Sequence, residues 1–357
     1  MAEIRLEEIK HIYPGNVEAI KEATITFKDQ TLNSLLGPSG CGKTTLMKII
    51  AGLLKPTKGR VYFDGQDVTD KTPQERNVAM VFQFPVVYDM SVYDNLAFPL
   101  KVRGVPKQEI KRRVIEVARL LELEERLSLH PSRLDSGGKQ RVAIGRALVR
   151  TPNAFILDEP FSNIDPESRL LLRSKLKEIQ KDLKQTMVFV THDQAEALTL
   201  ADWIAVMKDG RITQFDSPEQ IYEEPADTFI AYFIGMPAMN LIDCSMIDGR
   251  LMLGELSYDV SDMRELLEPY GDEFYFGIRA EHIEVSREPR PEEQGWIPMK
   301  CEMVEGLGPL TLLHLKGKGL TIKVKTRETG TFEGDTVWIK IRKDKVRIFK
   351  RTGERIV

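Results

Sequence analysis

The sequence predicts an α/β fold with a mixed, mostly parallel sheet and an antiparallel β flap, followed by a small all-β domain. Three observations predict it. Five short strand-like runs, Ser34–Leu36, Val78–Phe82, Ala154–Leu157, Met187–Val190 and Ile204–Met207, alternate with helix-period segments. A glycine-rich stretch links the first of these strands to a helical run. After Gly235-Met236-Pro237 the helical period fades, and short strand-like runs with turns at Asp248-Gly249, Gly317–Gly319 and Glu333-Gly334-Asp335 take over. The expected boundaries are 1–235 for the α/β domain and 236–357 for a β-barrel.

Composition bounds what such a chain can do. At 357 residues, 42% hydrophobic and 29% charged, it can bury the cores of two domains. Its 51 basic and 54 acidic side chains leave a net charge of −3, which argues against a nucleic-acid partner. No run approaches the length of a membrane span, and the charged start MAEIRLEEIK lacks the apolar segment of an export signal. Cys41, Cys244 and Cys301 are too few and too scattered for a disulfide framework or a metal clip. The basic run from Lys340 through Arg342, Lys343, Lys345, Arg347 and Lys350 to Arg351 reads as an edge strand with a solvated outer face.

Taken in order, residues 3–9, 19–28 and 60–63 supply the flap. Leu32–Leu36 then runs into Gly37-Pro38-Ser39-Gly40-Cys41-Gly42-Lys43-Thr44, and Thr45–Ile50 opens a helix. A strand, a glycine turn and a helix N-terminus curl backbone N–H groups around an anion, so this is a phosphate loop. Lys43 is positioned to reach β- and γ-phosphates and Thr44 to ligate Mg²⁺, with Cys41 filling space. Ala154–Leu157 ends in Asp158-Glu159-Pro160, which puts two carboxylates at the C-terminal edge of a buried strand. Asp158 is expected to support the Mg²⁺ and Glu159 to polarise a water. Ile110–Leu121 has the spacing of an amphipathic helix, and Asp193 with Glu196 reads as a capping box.

Further motifs add a resemblance. Leu134-Asp135-Ser136-Gly137-Gly138-Lys139-Gln140-Arg141-Val142-Ala143-Ile144 is similar to the signature sequence of ATP-binding-cassette (ABC) ATPases. Gln83 matches the Q-loop glutamine, Ser162–Asp165 the D-loop, and His192 the switch histidine, while Tyr13 sits where the family's adenine-stacking aromatic lies. Six ordered motifs across about 1–235 resemble the family, with a helical subdomain at about 88–150. Gly277-Ile278-Arg279-Ala280-Glu281-His282 resembles, more loosely, the C-terminal TOBE-like barrel of sugar-importer ATPases.

The resemblance implies a P-loop ATPase that binds ATP and Mg²⁺, with Gln83 contacting the metal or its water and His192 facing the γ-phosphate. It implies a second cassette, identical or not, that sandwiches two ATP molecules, and transmembrane permease subunits docked near Gln83–Tyr93. It also implies an extracytoplasmic solute-binding protein and a peripheral place on the cytoplasmic face of the membrane. An ATP-binding regulatory subunit with little turnover is the alternative, and a soluble ABC ATPase unconnected to transport is a further one.

Two departures from the pattern are informative. Asp135 and Ser136 stand where the signature has serine and glycine, and an ionised carboxylate there can only accept and repels phosphate. The segment after Gln83 is one residue short and carries the apolar run Phe84–Tyr88, which reads as a docking surface. Both departures resemble glycerol- and polyol-type importers with two different ATPase subunits, which implies one strong and one weak hydrolytic site.

Overall fold

A computed structural model describes residues 2–328, 330 and 332–357. Its contacts divide the chain into two compact units, Met1–Pro218 and Glu219–Val357.

The first unit opens with β1 (Ile4–Tyr13), β2 (Val17–Phe27) and β3 (Leu32–Leu36), then α1 (Lys43–Ala51), β4 (Lys58–Phe63), β5 (Gln66–Asp67) and β6 (Val78–Val81). The helical segment follows as α2 (Val92–Val102), α3 (Lys107–Leu120) and α4 (Ser136–Leu148). The unit closes with β7 (Ala154–Asp158), α5 (Pro166–Leu183), β8 (Met187–Thr191), α6 (Gln194–Leu200), β9 (Trp203–Lys208) and β10 (Arg211–Asp216). Ten strands form one sheet in the order β5-β4-β1-β2-β10-β9-β3-β8-β7-β6. The flap strands β4, β1 and β2 pair antiparallel, while β9, β3, β8, β7 and β6 run parallel.

The parallel strands are buried along their length because they read as apolar runs: Phe155, Ile156, Leu157, Val188, Phe189 and Val190 are all buried. On α3 the buried positions are Ile110, Val114, Val117 and Ala118, the stripe its period predicts. Helix α5 starts as its sequence dictates, with Asp165 as N-cap and Pro166 at the first helical position.

A buried cation anchors the phosphate-loop helix from behind. Arg76 is almost wholly buried, and its guanidinium donates to the carbonyls of Ile49 (2.7 Å) and Ile50 (2.8 Å) at the end of α1. It also donates to Thr69 O and Lys71 O, both at 3.0 Å. Burial pulls its pKa down to about 10, so it stays charged near neutrality and caps the negative end of the helix.

The second unit holds α7 (Pro218–Glu223), α8 (Thr228–Phe233) and the strands β11 (Asn240–Ile247), β12 (Arg250–Leu253) and β13 (Leu256–Asp259). After α9 (Arg264–Leu267) come β14 (Glu273–Ile278), β15 (Ile283–Ser286), β16 (Trp296–Leu307), β17 (Leu310–Gly317), β18 (Leu320–Thr326), β19 (Thr336–Ile341) and β20 (Arg347–Lys350). Two five-stranded antiparallel sheets result, β13-β12-β11-β14-β20 and β15-β19-β16-β17-β18, as a small barrel-like domain requires.

Two sequence expectations differ from what is seen. The units divide after Pro218, not after residue 235, because α7 and α8 are clamped to the β domain by buried Arg279. Its guanidinium donates to Tyr222 O (2.7 Å) and to Ile234 O, and it stacks 4.0 Å from the Tyr222 ring centroid. The basic run is not a free solvated face. Although β20 is an edge strand, Lys345 pairs with Glu223 (2.8 Å), Arg347 with Glu224 (2.5 Å), and Arg351 with Asp243 and Glu273.

Arg76→Leu leaves four carbonyls without their shared donor and is expected to lower stability by about 3 kcal/mol. Urea unfolding of the full chain checks this, and a midpoint within error of the parent would show that the clamp is dispensable.

Candidate functional site

The register of the parallel strands gathers the site. Leu36 of β3 lies opposite Thr191 of β8, and Asp158 of β7 opposite Val190, so neighbouring strands end together. At that common C-terminal edge the phosphate loop leaves β3, His192 follows β8, Asp158 and Glu159 end β7, and Gln83 follows β6. Ligands collect at such edges because the backbone turns there open a crevice lined by loops.

The loop after β3 is built for an anion. Gly42 is the N-cap of α1 with φ 106, a left-handed value open to glycine, and no side chain caps the helix. The first-turn N–H groups therefore keep no side-chain partner, and no acidic residue stands in that turn. Lys43 is only 6% exposed, and its ammonium donates to Gly37 O (2.8 Å) and Pro38 O (2.9 Å). Pro38, Ser39, Gly40 and exposed Thr44 complete the loop. Burial pushes the thiol pKa of Cys41 up, which fits a filler and not a reactive group. Tyr13 reaches the same helix: its hydroxyl lies 3.3 Å from Thr45 Oγ1, and its ring meets buried His11 edge-on at 4.6 Å.

Glu159 is the hub of a second group. Gln83 Nε2 donates to Glu159 Oε2 (3.2 Å), and His192 Nδ1 lies 3.0 Å from Glu159 Oε1. A carboxylate can only accept, so the imidazole proton sits on Nδ1, and Nε2 faces away from Glu159. The Glu159 backbone has φ 43, unusual for a residue with a side chain and a mark of imposed geometry. Ser162 Oγ holds its carbonyl at 3.1 Å, and Asn163 Nδ2 holds the carbonyl of Gln83 at 3.2 Å. These groups line a cavity of about 250 Å³.

A partly buried ion pair supports this hub, and no local pattern in the sequence marks Arg173 as its cation. Arg173 on α5 donates to Glu196 Oε1 (2.5 Å) and Asp193 Oδ2 (3.4 Å). Asp193 caps α6 as expected, accepting from the N–H groups of Ala195 and Glu196. The reciprocal half of the capping box is absent. Glu196 instead accepts from Thr191 Oγ1 (2.6 Å), and that hydroxyl accepts the Asp193 N–H (3.0 Å). The arrangement pins both sides of His192.

A divalent cation suits the donors at this edge. Thr44, Gln83 and Asp158 offer hard oxygen atoms, the set Mg²⁺ prefers alongside phosphate and water. Burial, and secondly the charge of Glu159, raise the pKa of Asp158, and a nearby cation relieves both penalties.

The signature-like segment lies elsewhere. Asp135 is the N-cap of α4, its Oδ1 accepting from Gly138 N at 2.7 Å, with Arg126 Nη1 3.7 Å away. Helix α4 therefore begins at Ser136, in the gap-free register. A Cβ on Gly138 would come within 2.6 Å of that Asp135 oxygen, so the cap requires glycine there. Gly137 lies against Ser168 of α5, three residues and less than one helical turn from Asp165, which caps α5. Among the described residues, no hydrogen bond or ion pair joins Asp135–Gly138 to Lys43, Asp158, Glu159 or His192.

The chain is similar to known proteins along its whole length. The ABC transporter family profile matches residues 20–162. The trehalose/maltose import ATP-binding protein MalK of Thermococcus litoralis is 42% identical, with 100% of both chains covered. The sn-glycerol-3-phosphate import ATP-binding protein UgpC of Escherichia coli K12 is 38% identical over 100% of both. The oligosaccharides import ATP-binding protein MsmX of Bacillus subtilis is 44% identical over 79% of each. Among solved structures, cbiO1 of Clostridium perfringens, part of the ABC transporter complex cbiONQ, matches with a TM-score of 0.59 at 30% identity. That match covers 62% of this chain and 90% of cbiO1.

Glu159→Gln removes the like charge beside Asp158 and is expected to lower the Asp158 pKa toward its ordinary value of 3.8. Titration of the labelled carboxyl by NMR checks it; an unchanged midpoint would assign the whole shift to burial.

Proposed function

Since the chain belongs to the ABC transporter ATPases and, like its import relatives, hydrolyses ATP, we propose that it is the energy-coupling subunit for uptake of a sugar, polyol or glycerol-type solute. The observation that carries the reading is the Gln83–Glu159–His192 set on the strand edge that also launches the phosphate loop.

The chemistry follows from that set. Phosphates entering the loop meet the uncapped N–H groups of α1 and draw the Lys43 ammonium from the carbonyls of Gly37 and Pro38. Tyr13 supplies a ring for the adenine. Glu159 orients a water in line with the γ-phosphate and accepts its proton, while Gln83 fixes the carboxylate. His192, held through Nδ1 by Glu159, turns Nε2 toward the γ-phosphate, and as the imidazolium it donates from Nε2 as charge shifts toward the leaving oxygen. Thr44, Gln83 and Asp158 would hold Mg²⁺, which would supply positive charge to offset that of the phosphates.

Two cassettes close on the nucleotides, and the partner here is a non-identical one. Asp135 supports this, because its carboxylate occupies the Gly138 N–H and cancels the positive end of α4 that would face the partner's γ-phosphate. The same feature favours the second reading, a nucleotide-binding subunit with low turnover of its own. The permease docks along Gln83–Tyr93, where Phe84 is 70% and Val86 53% exposed. A neighbouring groove of about 640 Å³ offers Tyr88, Phe98, Val102 and Arg146 to the same partner. No helix among the described residues is long and apolar enough to cross a membrane. In this reading the chain attaches to the cytoplasmic face through the permeases, with the solute-binding protein on the far side.

Hydrolysis measured for the chain alone and with a second, non-identical cassette tests the proposal. Low activity alone, a rise on mixing, and a loss of about 100-fold in Glu159→Gln with ATP affinity intact are expected. Full cooperative activity from the chain alone would refute the heterodimer, and near-normal turnover of Glu159→Gln would remove Glu159 as the base.

A further inference from the structure

The β domain carries a cleft of about 870 Å³, within the range of small-molecule sites, whose walls come from both of its sheets. Its lining includes apolar Ile242, Leu253 and Leu320. Beside it the turn after β12 meets the turn between β17 and β18, with Glu255 N donating to Lys318 O at 2.9 Å. Each sheet contributes one aromatic side chain: Tyr258 from β13 and Trp296 from β16.

Tyr258 is the informative residue. Its ring is fixed edge-on against buried Phe276, with centroids 4.9 Å apart. Its hydroxyl is buried and has no hydrogen-bond partner among the described residues. A buried hydroxyl without a partner costs free energy, so a ligand that supplies one gains affinity there. Burial, followed by the charges of Asp262 and Asp259, pushes its pKa up to about 12, which keeps the proton on the oxygen as a donor.

Charge selects the ligand class. Five basic side chains line the cleft and five acidic ones balance them, so it offers no net field for an anion. Lys340 and Lys343 each lie 6.0 Å from an aromatic centroid, those of Trp296 and Tyr258. Mixed acceptors and donors around two aromatic faces suit a molecule with many hydroxyls and an apolar C–H face. We propose that this cleft binds a neutral polyhydroxylated small molecule, a sugar or polyol, stacked on Trp296 and hydrogen-bonded to Tyr258. The inference concerns the β domain alone and stands apart from the hydrolytic site.

Isothermal titration of the full chain with maltose, trehalose and arabitol as neutral probes, and glucose-6-phosphate as an anionic one, tests it. At least one neutral probe is expected to bind saturably, and at least tenfold more tightly than the phosphate ester. Tyr258→Phe, which keeps the ring packing, and Trp296→Leu are each expected to weaken that binding fivefold or more and to leave ATP hydrolysis unchanged. The proposal is overturned if no neutral probe saturates, if the phosphate ester binds as well, or if either variant binds like the parent.

Discussion

The Glu159 carboxylate accepts from Gln83 with one oxygen and from His192 with the other, and the rest of the site is arranged to keep it there. Those two partners stand on loops after β6 and β8, the strands flanking β7, whose end carries Glu159 itself. A parallel sheet makes this possible because its strands all end at one edge. An antiparallel arrangement would send alternate loops to the opposite side and separate the three groups. The left-handed backbone at Glu159 is held by contacts from Ser162 and from the strand end, so the strain sits where the chemistry needs direction.

Two arginines do the positioning at a distance. Arg76 fixes the far end of α1, and therefore the helix whose near end presents the phosphate loop. Arg173 and Glu196 fix the turn that carries His192 and tie it to α5, the helix that Asp165 opens. Each guanidinium satisfies several acceptors at once, which is how a charge is tolerated where water is excluded.

The legible parts of the sequence are those whose determinants are local. The phosphate loop is contiguous with its strand and helix, and Asp158-Glu159 sits at the end of an unmistakable buried strand. Both are read from fewer than a dozen residues. Asp135 is equally local: an Asp before a helical run is an N-cap whatever else it does. What escaped depends on partners distant in the chain. Arg76 looks like an ordinary polar residue in Thr72-Pro73-Gln74-Glu75-Arg76, and only the carbonyls of α1 and its neighbours make it a clamp. Arg279 escapes likewise, and with it the division after Pro218, since α7 and α8 keep a helical period in sequence while belonging to the β domain. The basic run looks solvated in sequence because Glu223 and Glu224, its acidic partners, lie more than a hundred residues upstream. Half of the expected capping box forms, because Thr191, one residue before His192, takes Glu196 in place of the Asp193 N–H.

The chain joins an uncapped helix after a glycine loop, the hydrogen-bonded Gln83–Glu159–His192 set, and a signature-like segment whose helix end is capped from within by Asp135. In the proposed reaction Glu159 and His192 act as one hydrogen-bonded unit. A double-mutant cycle on kcat, using Glu159→Gln, His192→Ala and their combination in the assembled complex, tests it most directly. The double variant is predicted to be no slower than the slower single one. Losses that multiply, as for two independent groups, would contradict the claim.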